Sequence, residues 1–176
     1  QSLNRNLKRR NKNVAFENFI DKILEREGGD KITDDPLDSG GVTKYGISAK
    51  GSGLSPEKIK SLTEREAIDI YRDNYYKPSK CDRLPDRLQE SFFDAVVNCG
   101  ISRATKILQK SANNKNPKGN QISVDGRIGN ATVKAVSNLE VERFKAFRAR
   151  FYCELVAKKP QNERFFYGWF SRALKA

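Results

Sequence analysis

The sequence has no histidine and no methionine, and only three of its 176 residues are cysteine. Without histidine, the Ser-His and Cys-His nucleophile pairs, the commonest general base and most zinc sites are excluded. The cysteines are odd in number and too widely spaced for a Cys-x-x-Cys metal motif. Any acid–base chemistry must therefore come from carboxylates, Tyr, Lys or Cys, and the sequence implies no metal or organic cofactor.

Long apolar runs are also missing, so no segment is predicted to span a bilayer. Cys99 and Cys153 lie in apolar stretches with helical spacing, and we expect both to be small buried hydrophobic residues. The chain begins with Gln1 and lacks Met, which is consistent with a processed or trimmed form from which an export signal was removed.

Acidic residues are scarce relative to basic ones, and the net charge is +12. Residues 1–12 are polar, basic and without periodicity, which predicts a flexible basic arm. Such a charge attracts polyanions, among which are nucleic acid, anionic membranes and the bacterial envelope. Charge alone does not choose among them.

Apolar spacing elsewhere predicts a mainly α protein. Phe16, Phe19, Ile20, Ile23 and Leu24 form a helix stripe from Asn13, and residues 30–54 form a long loop with a hairpin around Thr43–Ile47. Later helices are predicted from Pro56, from Thr63 to about Tyr75 behind a Thr63–Glu66 capping box, and over 85–99, 102–111, 130–136, 141–157 and 162–174. Asn130 is the predicted cap of its helix, and residues 113–123 a turn-rich connector.

The next inward position of the first stripe is Glu27. A carboxyl at the end of an apolar stripe is pushed toward a low-dielectric site that favours its neutral form, as a glycosidase acid requires. The alternative is a helix-end Glu that faces solvent or pairs with a neighbouring Lys or Arg. Asp38, with Asp35 as a rival, could supply a second carboxylate, and Thr43 a hydroxyl to place water; an ordinary Asx-turn would use the same residues.

Glu27-Gly28-Gly29, followed by Asp35-Pro36-Leu37-Asp38-Ser39-Gly40-Gly41-Val42-Thr43-Lys44-Tyr45-Gly46-Ile47, resembles the signature of glycoside hydrolase family 108. These are muramidases of phage endolysins and prophage regions. The resemblance implies a lysozyme-like helical domain with a small β-hairpin and a small helical C-terminal lobe. It makes Glu27 the catalytic acid. By analogy with phage-type lysozymes, it gives Asp38 and Thr43 the partner roles.

The resemblance also implies substrate-binding residues, which are Asp35, Gly40, Gly41, Tyr45 and Asn98. Asn98 lies in Asp94-Ala95-Val96-Val97-Asn98-Cys99-Gly100, which is similar to a helix that lines the family's glycan cleft, although an Asn before Gly100 is also an ordinary helix end. One departure from the family pattern is Asp30, where an aromatic residue usually follows Glu-Gly-Gly.

The C-terminal part resembles a peptidoglycan-binding pattern, V-D-G-x-x-G-x-x-T, at Val124–Thr132, and a terminal G-W-x-x-R at Gly168–Arg172. Pure packing would explain the same residues. We expect a basic arm (1–12), a catalytic lobe (13–112) and a peptidoglycan-binding-like lobe (113–176) packed on it.

The resulting hypothesis is a monomeric muramidase that cleaves between N-acetylmuramic acid and N-acetylglucosamine in the periplasm or cell wall. Its origin, phage-encoded or secreted bacterial, is left open, as is inversion or retention. The alternatives are a lytic transglycosylase, a non-catalytic wall-binding module and a nucleic-acid binder. The last lacks a reading helix or a zinc finger, so no specific nucleic acid is expected.

Overall fold

A computed structural model describes residues 15–34, 41–117 and 119–176. The part of the chain that it describes is mainly helical with one small antiparallel sheet, which confirms the predicted fold class. No helix within these ranges combines the length and the apolar character needed to cross a membrane. The chain forms two compact units, residues 1–74 and 75–176. The predicted lobe boundary after residue 112 stays a prediction, and the basic arm lies outside the described residues.

The elements of the first unit follow the chain in this order: α1 (Ile20–Arg26), β1 (Thr43–Lys44), β2 (Ile47–Ser48), α2 (Ala49–Ser52), α3 (Pro56–Lys60) and α4 (Glu64–Tyr71). A π-helical segment, Arg72–Tyr76, continues α4. The second unit contains α5 (Lys77–Ser79), α6 (Asp86–Cys99), α7 (Ile101–Lys115), α8 (Asn130–Ala135), α9 (Val141–Lys158) and α10 (Glu163–Lys175), with short 3-10 turns at Cys81–Arg83 and Pro160–Asn162.

The first unit is organised by the predicted apolar stripe. All five of its residues are buried, and they are Phe16, Phe19, Ile20, Ile23 and Leu24. The predicted hairpin is present, with Thr43 paired to Ser48 and Lys44 to Ile47. The predicted capping box of α4 is also present, since Thr63 and Glu66 each accept from the other's backbone N–H. Local sequence signals therefore predict the hairpin and the start of α4, whereas α2 lies within the stretch that was predicted to be a loop.

A buried charge cluster lies in the second unit. Asp94 of α6 and Arg148 of α9 are both fully buried, with Arg148 Nη1 2.7 Å from Asp94 Oδ2. This pair lies outside hydrogen-bond geometry, and Arg148 Nη2 has no hydrogen-bond acceptor among the described residues. Arg172 of α10 donates from Nε to both Asp94 oxygens, at 3.2 and 3.0 Å. The aspartate thus ties three helices together.

Several sequence expectations for this unit are wrong in detail. Cys153 is exposed, because the buried stripe of α9 runs through Phe144, Arg148 and Tyr152 and leaves position 153 on the outer side. Cys99 is only half-buried, at the end of α6. Helix α7 continues to Lys115, into the predicted connector. Asn130 does not cap α8, since Gly129 is the cap and the Asn130 side chain instead accepts from Arg83 at 2.6 Å.

Replacing Asp94 with Asn should destabilise the protein by about 3–5 kcal/mol, because Arg148 would keep a buried charge without a counter-ion. Burial alone would raise the pKa of Asp94, but Arg148 and Arg172 together outweigh it and hold that pKa below its ordinary 3.8. The stabilisation should therefore be complete above pH 3.8 and should be lost as the pH falls through the lower pKa of the folded state.

Urea unfolding of wild type and Asp94→Asn from neutral pH down to about pH 2 measures both effects. The difference between their free energies of unfolding should shrink at the acid end. Glu154→Gln is the control, because it removes an exposed ion pair to Arg150 that is worth at most about 1 kcal/mol. Equal effects of the two substitutions would contradict a stabilising role for the buried cluster.

Candidate active site

Glu27 lies at the C-terminal end of α1, where the apolar stripe stops. Its backbone N–H donates to the Ile23 carbonyl at 3.0 Å, so it belongs to the last helical turn. Gly28 and Gly29 follow with φ values of 98° and 59°, which turn the chain away from the helix axis. The stripe is buried and Glu27 is half-buried. The end of the helix therefore holds a carboxyl at the boundary between core and solvent.

The hairpin turn between β1 and β2 packs against this helix end. Tyr45 and Gly46 both have positive φ, 53° and 72°, as in two-residue hairpin turns of type I′. The Tyr45 backbone N–H donates to the Gly29 carbonyl at 3.0 Å and joins the turn to the segment after Glu27. A bulky non-glycine residue at positive φ is strained, so surrounding contacts must hold Tyr45 in place.

Tyr71 of α4 supplies one of these contacts. Its side chain is 2% exposed, and its hydroxyl donates to the Tyr45 carbonyl at 2.8 Å. The same hydroxyl lies beside Gly46, since a Cβ built there would be 2.8 Å from it. A buried Tyr needs a partner for its O–H, and here that requirement fixes the turn.

Gly46 leaves the space that the Glu27 side chain occupies. A Cβ at position 46 would lie 2.7 Å from Glu27 Cβ and 2.8 Å from Glu27 Oε2, closer than real Cβ contacts. The turn backbone therefore approaches the carboxyl only because residue 46 has no side chain. Glu27, Gly46 and Tyr71 form a packed group, which we call the helix-end cluster.

Tyr45 lines a cavity of about 370 Å³ next to this cluster. Gly29 also lines it, together with four acidic residues: Asp21, Glu25, Asp30 and Glu64. Burial, followed by the charges of Asp30 and Glu64, raises the pKa of Tyr45, so its phenol stays neutral. Glu27 itself is not among the lining residues. Within the described ranges, no group of three or more His, Cys, Asp or Glu side chains is arranged to hold a metal ion.

The remaining predicted residues of the first unit belong to or precede the hairpin. The Thr43 hydroxyl donates to the Gly41 carbonyl at 3.1 Å, and Thr43 also forms a two-way backbone bridge with Thr33. These bonds fix the position of the Thr43 side chain at the start of β1. Asp35, Asp38 and Gly40 lie outside the described residues.

Asn98 belongs to the second unit, where its amide oxygen already accepts a hydrogen bond. Its Oδ1 accepts from the Tyr152 hydroxyl at 2.5 Å, and that hydroxyl in turn accepts from Arg148 Nε at 2.9 Å. Asn98 therefore continues the buried cluster around Asp94. This packing gives Asn98 a structural task that the sequence motif did not reveal, and its role in binding substrate stays a prediction.

Sequence reasoning missed two organising side chains. Tyr71 follows Ala67 by four residues on the buried side of α4, which was the available signal for it. Gln109 of α7 is 1% exposed and holds the Val-Asp-Gly motif: its amide donates to Asp125 Oδ1 at 2.8 Å and accepts from the Gly126 N–H at 2.9 Å. The available signal for Gln109 was its position as a polar residue on the otherwise apolar face of α7.

Comparisons with known proteins agree with this architecture. The model of the family described as glycosyl hydrolase 108 matches residues 20–100, and that of a predicted peptidoglycan domain matches residues 103–174. The solved structure described as Brucella abortus SagA is 30% identical, with a TM-score of 0.71 over 91% of this chain and 90% of that chain. A search of curated protein sequences finds no match.

The protein is a glycoside hydrolase that acts on peptidoglycan, as the two matched regions show together with the mainly helical fold and the acid at a helix end. The chain belongs to the glycosyl hydrolase 108 family, as its sequence motif predicted.

On the prediction that Glu27 is the catalytic acid, Gly46→Ala should impair hydrolysis of peptidoglycan by roughly tenfold or more. The new methyl group collides with Glu27 and Tyr71, and misplacement of a reacting group by about 1 Å costs up to about 10²-fold. Gly53→Ala is the matched control: Gly53 has nearly the same φ, 73°, but nothing lies within 4 Å of a Cβ built there. Backbone strain should cost each variant about 1 kcal/mol of stability, and the collision adds a further loss in Gly46→Ala only. Equal activity in the two, measured as clearing of purified peptidoglycan, would show that the close approach at position 46 has no catalytic importance.

Proposed function

We propose that the protein is an N-acetylmuramidase that cleaves peptidoglycan between N-acetylmuramic acid and N-acetylglucosamine with Glu27 as the acid. The observation that carries the proposal is the contact between Glu27, at the end of α1, and Gly46, in the hairpin turn. The contact holds a half-buried carboxyl against the turn, and the open space beside Gly28 and Gly29, where nothing lies within 4 Å of a built Cβ, leaves room for a sugar to approach. The family membership supports the same chemistry.

In the proposed reaction, protonated Glu27 donates its proton to the glycosidic oxygen as the bond to the anomeric carbon breaks. Asp38, with Asp35 as the rival, stabilises the positive charge that develops on the sugar ring, and either positions the incoming water or forms a covalent bond to the anomeric carbon. Water then supplies the hydroxyl of the new reducing end. The Thr43 hydroxyl assists in placing that water, and Tyr45 and Gly41 contact the sugar.

Glu27→Gln should lower the rate of hydrolysis by about 10²–10⁴-fold, since Gln has nearly the same shape but no proton to donate. Clearing of purified Gram-negative murein measures this rate. Glu57→Gln is the control, because Glu57 is an exposed acid on α3 outside the helix-end cluster. Binding of the variant to murein should persist. Full activity of Glu27→Gln would refute the proposal, and so would a wild-type protein that binds murein without clearing it.

Asp38→Ala and Asp35→Ala decide between the two candidate partners. The substitution that removes the second catalytic carboxylate should cost at least about 10²-fold in rate, because the charge on the sugar ring is then unopposed. We expect the larger loss for Asp38→Ala. A larger loss for Asp35→Ala would assign the role to that residue, and two nearly unaffected variants would contradict a two-carboxylate mechanism.

The nature of the products separates the muramidase from a lytic transglycosylase, which needs one Glu and no water-activating Asp. Mass spectrometry of the released muropeptides should show reducing N-acetylmuramic acid ends. Anhydro-muramic ends would favour the transglycosylase. We further propose that the protein acts as a monomer in the periplasm or cell wall, as a phage-encoded or a secreted bacterial enzyme.

A further inference from the structure

The second unit contains a groove that the proposed catalytic mechanism does not use. It has a volume of about 420 Å³, within the range of sites for small ligands, and lies between α7, α9 and the segment before α8. Six side chains define its character: Arg103, Lys106, Lys110, Phe147, Arg150 and Phe151. We call it the basic groove. It lies within the region that matches the predicted peptidoglycan domain.

Cationic side chains form one edge of the basic groove. Arg103, Lys106 and Lys110 follow each other at spacings of three and four residues on α7, and all three are exposed. This spacing places them on one side of the helix. In the described part of the chain, neither Lys106 nor Lys110 forms an ion pair. Two ammonium groups are thus available to an anionic ligand.

The floor of the basic groove is apolar. Phe147 and Phe151, one turn apart on α9, are half-buried, and Ile107 of α7 is only 4% exposed. Arg150 lies at the rim, with its guanidinium carbon 6.0 Å from the centre of the Phe147 ring. Among the described residues, Glu154 is the one acid that lines the groove, and it pairs with Arg150 at 3.0 Å. A matching ligand would therefore combine carboxylates with aliphatic carbon.

The third wall is held in place by polar side chains of α7. Asn113 makes a two-way bond with the backbone of Ile122, both distances being 2.8 Å. Gln109 holds Asp125 and Gly126, and a Cβ at position 126 would lie 2.7 Å from Ser102 Oγ. The peptidoglycan-binding-like motif thus packs this segment onto the helix. It leaves Val124 lining the groove, so the wall is formed before a ligand arrives.

We propose that the basic groove binds the acidic stem peptide of peptidoglycan, with peptide carboxylates against Lys106 and Lys110 and aliphatic peptide carbon against Phe147 and Phe151. This inference rests on the proposed function only in taking peptidoglycan as the substrate. The stem peptide carries several free carboxylates, whereas the amide-linked glycan strand is uncharged and gives the lysines no partner. Nucleic acid is a poorer match, because it requires a long cationic track rather than a short groove with an apolar floor.

Isothermal titration of the full-length protein with a synthetic stem tetrapeptide (l-Ala–γ-d-Glu–meso-diaminopimelate–d-Ala) tests the proposal. Lys106→Glu/Lys110→Glu should weaken binding about tenfold or more, since attraction becomes repulsion at two positions. Lys134→Glu/Lys158→Glu is the matched control: both lysines are exposed, lie in the same unit outside the groove, and give the same change in net charge. It should change affinity less than about twofold. If the charge-reversal variant does not fold, Lys106→Gln/Lys110→Gln replaces it in the test. This variant should show an intermediate loss of affinity.

The proposal would be overturned by no binding of the tetrapeptide by wild type, by equal losses in the groove and control variants, or by undiminished binding of a tetrapeptide whose carboxylates are amidated. Comparable affinity for a short DNA duplex or for anionic phospholipid vesicles would also overturn it, by showing general attraction to polyanions. Clearing of murein is measured in parallel. If the wild type clears murein but does not bind the peptide, only the proposal for the basic groove is refuted. If the protein binds the peptide but Glu27→Gln keeps full activity, only the catalytic proposal is refuted.

Discussion

The close approach of the hairpin turn to the end of α1 is the constraint on which the candidate site depends. Residue 46 cannot carry a side chain, because Glu27 and the Tyr71 hydroxyl already fill that space. Tyr71 also accounts for the strained Tyr45, since its bond to the Tyr45 carbonyl holds the turn at positive φ. Three segments far apart in sequence, the ends of α1 and α4 and the hairpin turn, thereby fix one carboxyl.

Much of this unit could be predicted from sequence because its signals are local. The apolar stripe that leads into α1, the capping box of α4 and the hairpin each depend on residues within a few positions of one another. The family resemblance then selected Glu27 among many acids. The role of Tyr71 was not predicted, because its hydrogen-bond partner is 26 residues away in the sequence. Nothing in its own helix distinguishes a Tyr that only packs in the core from one that fixes a turn.

The second unit was harder to predict, because its central interactions are long-range and polar. Asp94 and Arg172 are 78 residues apart, and periodicity cannot reveal that a charged residue will be buried against another. Arg148 occupies a core position of α9 that an apolar residue would normally fill, so the buried side of that helix was misjudged and Cys153 was expected inside. The terminal G-W-x-x-R motif has a structural role here, since its Arg172 donates hydrogen bonds to Asp94.

The distribution of charge qualifies the simple picture of a cationic enzyme attracted to an anionic wall. The cavity beside the helix-end cluster is lined by carboxylates, including Asp30. Lys106 and Lys110 of the basic groove, which form no ion pair within the described residues, lie instead in the second unit. Carboxylates of a wall polymer would be repelled by the acids of the cavity and attracted by the lysines of the groove. Net charge thus bears on how strongly the protein is attracted to an anionic polymer, while the local sign of charge at each surface would select the part of the polymer that can bind there.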